Sequence, residues 1–279
     1  MKLARFAKSL GYLALGAGAA LALVLFFRTP SLERDWKTEY AVLPEAEVDG
    51  DLVSLRNIRN FNYDPDGSIA AANYYDADYD LTKLTSVWYG ISHFASYGLA
   101  HTFLSFGFED GRFLVISIEA RQEVGQDYGP IKGLLRNYEL IYIVADERDV
   151  VGLRTHIRSQ RALLYQLTLA KPKAEALLRS LLSSVEEQRS NPSFYNTVTD
   201  NCTTNILKYA ERVSIWQRWF DYRVVLPGYS DELAFDLGVI ATDGGLEQAR
   251  QAAYLDPSRT TLDDPDFSLK IRGMAQVPD

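Results

Sequence analysis

The stretch AHTFLSFGFEDGRFLVISIEAR, from Ala100 to Arg121, decides the fold. Two runs of alternating residues flank Glu109-Asp110-Gly111, and this pattern is typical of a β-hairpin. A two-residue loop would pair His101 with Ala120. A three-residue loop, a type I turn closed by the glycine in the left-handed conformation, would instead pair His101 with Glu119. The choice of loop therefore decides which side chains share a face.

Burial favours the three-residue loop, which also pairs Phe108 with Arg112. The two-residue loop would put Ser117 and Glu119 on the same face as the apolar residues of the first strand, and a one-residue slip exchanges the two faces of a strand. In the three-residue register one face is nearly all apolar, with Thr102, Leu104, Phe106, Phe108, Leu114, Ile116 and Ile118. We therefore expect the Glu119 carboxylate to lie opposite the His101 imidazole, within reach to orient it.

The rest of the chain mixes strands and helices. Amphipathic spacing predicts a helix over Pro172–Arg189 and another from Cys202 to Val213. Further predictions are strands over Val87–Phe94, Leu140–Ala145 and Leu163–Leu169, a loop or edge strand over Tyr74–Leu81, and a helix over Asp149–Gln160. This order indicates the α+β class, with an antiparallel sheet around the hairpin.

Composition excludes several functions. The net charge of −8 argues against nucleic acid as a partner. A single cysteine excludes an internal disulfide and any multi-cysteine metal site. The three histidines, His93, His101 and His156, form neither an HExxH nor an HxH pattern, so we expect no metal and no cofactor.

The N-terminus predicts a membrane anchor. Lys2, Arg5 and Lys8 precede an uncharged run from Ser9 to Phe27, close to the length that a helix needs to cross a bilayer. A cleaved signal peptide is the alternative, but no Ala-x-Ala site follows the run. The positive flank would keep the N-terminus in the cytoplasm and export the rest. We therefore expect a single-pass bacterial inner-membrane protein, with a tip and anchor over 1–28, a linker over 29–50 and a periplasmic thiol-enzyme domain over 51–279.

The sole cysteine, Cys202, stands at the predicted start of a helix, with Asp200 or Asn201 as the N-cap. A helix start and a neighbouring histidine both lower the pKa of a thiol. We therefore interpret Cys202 as a nucleophile, His101 as its base and Glu119 as the group that holds the base. The alternative is that Cys202 is a small buried apolar residue without chemistry.

Three residues are expected to support this site. Asn201 stands beside the thiol, Arg121 follows Glu119 on the strand, and His93 is a second candidate base without an obvious carboxylate partner. Glu119 and Arg121 could instead form a solvated edge. His156 lies with Arg154 and Arg158 on a charged helical face, and we expect that face to be solvated.

Three segments carry a resemblance to a known family: DWKTEYAVLPEAEVDGDLVSLRNIRNFNY (35–63), the hairpin with the strand that follows it (100–149), and YNTVTDNCTTNI (195–206). They resemble the Lnb-type N-terminal periplasmic domain family, related to bacterial lipoprotein N-acylation, over about 35–238. The order of histidine strand, IEA strand and NC helix start is also similar to the circularly permuted papain-like group, which includes NlpC/P60-related and lecithin:retinol acyltransferase-like proteins. The resemblance implies that fold, with Cys202, His101 and Glu119 as the catalytic residues.

Three functions follow as hypotheses. The first is a membrane-anchored cysteine acyltransferase that acts on lipid or lipoprotein substrates through an acyl-thioester on Cys202, with residues 9–27 in the membrane. The second is a cysteine peptidase or amidase that hydrolyses peptidoglycan or peptides with the same triad. The third is a non-enzymatic envelope scaffold in which the cysteine is structural.

Overall fold

The computed structural model describes residues 2–96, 98–210, 213–214, 217 and 220–274. In the first helix it describes side chains only for residues 11–13 and 15–27. The strands are β1 (Glu45–Asp49), β2 (Leu52–Arg59), β3 (Asn62–Tyr63), β4 (Ile69–Ala71), β5 (Tyr74–Asp80), β6 (Leu84–His93), β7 (Ala100–Phe108), β8 (Phe113–Arg121), β9 (Glu139–Asp146) and β10 (Arg161–Gln166). The α-helices are α1 (Lys2–Phe27), α2 (Thr38–Ala41), α3 (Pro130–Leu134), α4 (Glu147–Gly152), α5 (Lys171–Ser190), α6 (Cys202–Leu207), α7 (Tyr222–Val225), α8 (Ser230–Asp236), α9 (Leu246–Ala253) and α10 (Phe267–Ile271).

One large sheet organises the described part of the chain. Its strands follow the order β1-β2-β9-β8-β7-β6-β10, and β5 pairs with β2 beside this path. The α+β class is confirmed, but the prediction of a purely antiparallel sheet is wrong. β2 runs parallel to β9 where Arg59 pairs with Ala145. These two strands are distant in sequence, so no local pattern could indicate the direction of their pairing.

The hairpin register is the one that burial selects. Phe103 pairs with Ser117 and Gly107 with Phe113, which confirms the three-residue loop. At the turn, the amide of Gly111 donates to the carbonyl of Phe108 at 3.0 Å, and Gly111 has a φ of +81°. Glycine adopts this left-handed conformation without steric cost, which is why the turn requires it.

Both faces of the sheet are covered. The predicted apolar face, with Leu104 and Phe106, packs against α5 and α9 in one core. The opposite face, with Phe103 and Val115, packs against α2, α4 and α10 in a second core. Because every second strand residue points to the same face, His101, Ser117 and Glu119 share this covered face with Phe103 and Val115. Ser117 is fully buried, and the side chains of His101 and Glu119 are only 16% and 17% exposed, so these groups do not form a solvated edge.

The prediction of a transmembrane helix is wrong by this structure. Within the described residues, no helix is long and apolar enough to cross a membrane. The side chains of Lys2, Arg5 and Lys8 lie outside the described residues.

Residues 29–50, predicted as a linker, contribute to the folded unit. Trp36 and Tyr40 are buried, and β1 forms the edge of the large sheet. The helix predicted over Asp149–Gln160 ends earlier, as α4 followed by a π-helical turn over Leu153–Ile157. The helix predicted from Cys202 to Val213 likewise ends early, at Leu207.

Candidate active site

The hairpin brings His101, Ser117 and Glu119 together. His101 Nε2 lies 2.7 Å from the Ser117 hydroxyl, and that hydroxyl donates to Glu119 Oε1 at 2.8 Å. The direct separation of His101 Nε2 and Glu119 Oε1 is longer, at 3.5 Å. The predicted juxtaposition of His101 and Glu119 is therefore present, with a serine between the two groups.

A buried arginine holds the carboxylate from the other side. Arg154 Nη2 donates to Glu119 Oε1 at 3.1 Å, and Arg154 Nη1 donates to the carbonyl of Val150 at 2.9 Å. Burial by itself raises the pKa of Glu119. The charges of His101 and Arg154, in that order, outweigh burial and hold this pKa well below its usual range. Glu119 is therefore an ionised acceptor at neutral pH.

Cys202 is the first residue of α6, and a capping box fixes this helix start. The Asn201 side chain accepts from the amide of Thr204 at 2.8 Å, while the Thr204 hydroxyl accepts from the amide of Asn201 at 2.8 Å. The next residue, Thr203, contacts the Thr102 hydroxyl on β7 at 3.2 Å. The cap and this contact hold the thiol against the first residues of β7.

The thiol is buried and acidified. Cys202 is 4% exposed. Burial alone raises its pKa, but hydrogen bonding to His101, the charge of His101 and hydrogen bonding to Thr102 together lower it to about 7. About half of the molecules would then carry a thiolate at neutral pH, and the thiolate is the nucleophilic form.

The charge of the thiolate acts on three tyrosines. Burial raises the pKa of Tyr89, Tyr128 and Tyr195, and the charge of Cys202 raises all three further. They therefore remain protonated beside a thiolate. Tyr128 is 38% exposed, its hydroxyl lies 3.5 Å from that of Tyr195, and its ring meets the edge of Phe94 at 6.2 Å between centroids. Tyr128 and Phe94 thus form an exposed aromatic pair, and the charge of Cys202 reaches the Tyr128 phenol.

Of the predicted supporting residues, Asn201 belongs to the site. His93 lies elsewhere, with its ring nitrogens 3.3 Å from the carbonyls of Arg161 and Gly228. Arg121 is buried rather than solvated. It donates to the carbonyls of Tyr40 and Ala41, and its guanidinium stacks 4.1 Å from the centre of the Trp36 ring. The desolvation of burial lowers the pKa of Arg121 to about 10. Its position indicates that it fastens the N-terminal linker to the sheet.

The charged face predicted around His156 is only partly solvated. Arg158 is exposed, but Arg154 is buried against Glu119. His156 is half-buried, with its ring nitrogens 2.8 Å from the Thr155 hydroxyl and 3.0 Å from the carbonyl of Thr260. The π-helical turn redirects these side chains inward, which an α-helical projection does not show.

Two cavities lie away from the thiol. The larger, about 1300 Å³, is formed by the turn of the hairpin and residues 262–269. The smaller, about 230 Å³, is lined by Glu119 and Arg154, together with Arg59 and Arg158. Neither is lined by Cys202. Within the described ranges, no group of three or more histidine, cysteine, aspartate or glutamate side chains could hold a metal ion.

Sequence reasoning missed two residues of the site. Ser117 lies on the same strand face as His101 and Glu119 in the selected register, so alternation carried a signal for it. No comparable signal existed for Arg154, because its burial depends on the π-helical turn and on packing over Phe103, 5.5 Å from the ring centre.

Comparison with known proteins supports the resemblance drawn from the three segments. A family model described as the Lnb N-terminal periplasmic domain matches residues 70–228, a range that includes His101, Glu119 and Cys202. The match covers more than half of the chain, so the chain belongs to this family. No curated protein and no solved structure matches the chain, and the predicted papain-like fold is therefore not confirmed.

Proposed function

We propose that this member of the Lnb N-terminal periplasmic domain family is a thiol-dependent acyltransferase, with Cys202 as the nucleophile. One observation carries the proposal: the only cysteine of the chain is buried at a helix start that packs on β7, where Thr203 contacts Thr102 at 3.2 Å, and the neighbouring His101 helps to lower the pKa of this thiol to about 7. On its other side, His101 contacts Ser117 and, through it, the ionised Glu119. A structural cysteine has no need of an imidazole with a carboxylate behind it.

The reaction proceeds in two balanced halves. The Cys202 thiolate attacks the carbonyl carbon of an ester, and a carbon–sulfur bond replaces the ester carbon–oxygen bond. His101, protonated, gives its proton to the departing alkoxide. An amine then attacks the acyl-thioester, His101 accepts the amine proton, and the thiolate leaves. Glu119 stays ionised throughout.

Burial of the thiol supports transfer over hydrolysis. An acyl group on a cysteine that is 4% exposed is shielded from bulk water, and the three phenols that its charge reaches stay protonated. Exclusion of water protects a reactive intermediate until the intended acceptor arrives. Hydrolysis would need a water molecule within this enclosure.

The surface beside the thiol supports an apolar donor such as a lipid or lipoprotein. Phe94 and Tyr128 expose 42% and 38% of their surface. Helix α3 begins two residues after Tyr128 and exposes Ile131 and Leu134. A Cβ on Gly133 of α3 would meet the ring of Tyr195, so this helix packs directly against a wall of the thiol site. Apolar side chains thus lie where an acyl chain would approach.

The proposal is tested by intact-mass spectrometry. The full chain is incubated separately with phospholipid vesicles and with a diacylated lipopeptide, and each sample is examined for the mass of one acyl chain. The expected result is an adduct that hydroxylamine removes, as a thioester requires. Because the chain has one cysteine, the adduct is assigned without ambiguity.

Two variants serve as controls. Cys202→Ser should fold, as judged by circular dichroism, and form no hydroxylamine-sensitive adduct. His101→Gln should form it far more slowly. An adduct of equal yield in Cys202→Ser would refute the nucleophile. Release of fatty acid or peptidoglycan fragments without amine acylation would show that the protein is a hydrolase and not a transferase. Loss of folding in Cys202→Ser would support a structural cysteine.

A further inference from the structure

Ser117 stands between the base and the carboxylate. It is fully buried on β8. Its hydroxyl lies 2.7 Å from His101 Nε2 and 2.8 Å from Glu119 Oε1. Both distances are shorter than the 3.5 Å between His101 Nε2 and Glu119 Oε1. The closest polar contact of His101 on this side is therefore a hydroxyl group and not the acidic residue.

Counting protons fixes the direction of this chain of hydrogen bonds. Glu119 is ionised and can only accept, so the single hydroxyl proton of Ser117 points to it. The serine oxygen then offers only lone pairs to the imidazole. His101 Nε2 must carry a proton to bond to it, and in the neutral ring Nδ1 is left as an unprotonated acceptor. This is the tautomer that can take a proton from the thiol.

We propose that Ser117 is a positioning residue that holds His101 in the Nε2–H tautomer. Because its hydroxyl donates to Glu119, its oxygen can only accept a hydrogen bond from the ring. The proposal deepens the proposed function and rests on it, since it concerns how the base of Cys202 is prepared. Ser117 itself touches neither the substrate nor the sulfur.

Other charged groups around the site do not replace this hydroxyl. Arg154 donates to the same Oε1 that accepts from Ser117, so the carboxylate is shared between a cation and the hydroxyl. Arg59 adds a second positive charge facing Glu119. The titratable groups that face the thiol, besides His101, are the protonated phenols of Tyr89, Tyr128 and Tyr195. Of these groups, Ser117 is the one that contacts His101 Nε2 within 3 Å, at 2.7 Å.

The first test is the tautomer. Histidine labelled with ¹⁵N in the full chain gives ring-nitrogen shifts that separate the two neutral tautomers, and loss of one signal set in His101→Gln assigns His101 among the three histidines. The wild type should show the Nε2–H form. Ser117→Ala should show a mixture, and Ser117→Thr, which keeps a hydroxyl, should restore the wild-type form.

The second test is the acidity of the thiol. In Ser117→Ala the apparent pKa of Cys202 should rise by about one unit, which lowers the thiolate fraction at pH 7 about five-fold. Glu119→Gln is the matched variant. Arg154 demands an oxygen at the position of Oε1, so the glutamine carbonyl should still accept from Ser117 and the tautomer should persist. Only the negative charge is lost in Glu119→Gln. This variant therefore tests the proposal even if Ser117→Ala fails to fold.

The outcomes separate this proposal from the proposed function. An unchanged tautomer and an unchanged thiol pKa in a folded Ser117→Ala would overturn the role of Ser117, and so would loss of the Nε2–H form in Glu119→Gln with Arg154 intact. If His101→Gln also leaves the thiol pKa unchanged, then the assignment of His101 as the base fails as well, and the proposed function fails with it.

Discussion

Replacing His101 with glutamine should remove most of the acidity of Cys202. Hydrogen bonding to His101 and its charge are the two largest influences that lower the thiol pKa to about 7, against a burial that raises it. Without the imidazole, burial remains, so the pKa should return to the ordinary 9.0 or higher. A shift of two units corresponds to about 2.7 kcal/mol, and at pH 7 the thiolate fraction would fall from about one half to about 1%.

The assay follows the ultraviolet absorbance of the thiolate as a function of pH. Subtracting the titration of Cys202→Ser cancels the absorbance of the 17 tyrosines and leaves that of the only cysteine. His93→Gln is the matched control, because His93 contacts the carbonyls of Arg161 and Gly228 and should leave the thiol unchanged. A pKa that stays near 7 in His101→Gln would refute the reasoning.

Linkage gives an independent check on the same shift. The native thiol has the lower pKa, so between about pH 7 and 9 the unfolded chain binds more protons than the folded one. The free energy of unfolding of the wild type, relative to Cys202→Ser, should therefore rise through this window, by at most about 2.7 kcal/mol. Below pH 7 the contribution is lost. A difference that falls with increasing pH would contradict the depressed pKa.

Three further changes test the surroundings of the site by urea unfolding. Asn201→Ala removes one half of the capping box and should lower the free energy of unfolding by about 1 kcal/mol, and it should also disturb the thiol pKa because the cap precedes Cys202 directly. Arg121→Met removes two hydrogen bonds to the N-terminal linker and should cost about 1–3 kcal/mol, but leave the thiol pKa unchanged. In Gly90→Ala the new Cβ would overlap the ring of Phe103, for a loss of about 1–3 kcal/mol, whereas Gly245→Ala, with no atom within 4 Å, should stay within about 0.5 kcal/mol of the wild type.

The hairpin shows what alternation can reveal before a structure is known. The register followed from burial alone, since only one loop length kept Glu119 off the apolar face with Leu104 and Phe106. That register paired His101 with Glu119, and Gly111 has the left-handed φ that the three-residue loop requires. Local patterns succeed here because both strands and the turn are contiguous in sequence.

Other features depend on distant contacts, and local patterns fail for them. Arg59 of β2 lies beside Ala145 of β9 in the parallel direction, although many residues separate the two strands. Arg121 is a second case that depends on a distant segment. The sequence predicted a supporting role for it in the thiol site, with a solvated edge as the alternative, whereas the N-terminal linker folds back over this arginine with Tyr40 and Trp36. When a remote segment buries a polar residue, the sequence pattern of the residue's own strand does not indicate it.

The charges around Glu119 explain why its position was easier to predict than its role. A lone carboxylate beside an imidazole would stabilise the imidazolium by its full charge. Here Arg154 pairs with the same oxygen at 3.1 Å, closer than His101 Nε2 at 3.5 Å, so the carboxylate interacts with two cationic groups at once. The carboxylate also accepts a hydrogen bond from Ser117, and the Ser117 oxygen in turn accepts one from His101 Nε2. The acidic residue therefore acts on His101 in two ways: through its charge, and by fixing where the ring proton lies, which depends on the serine between them.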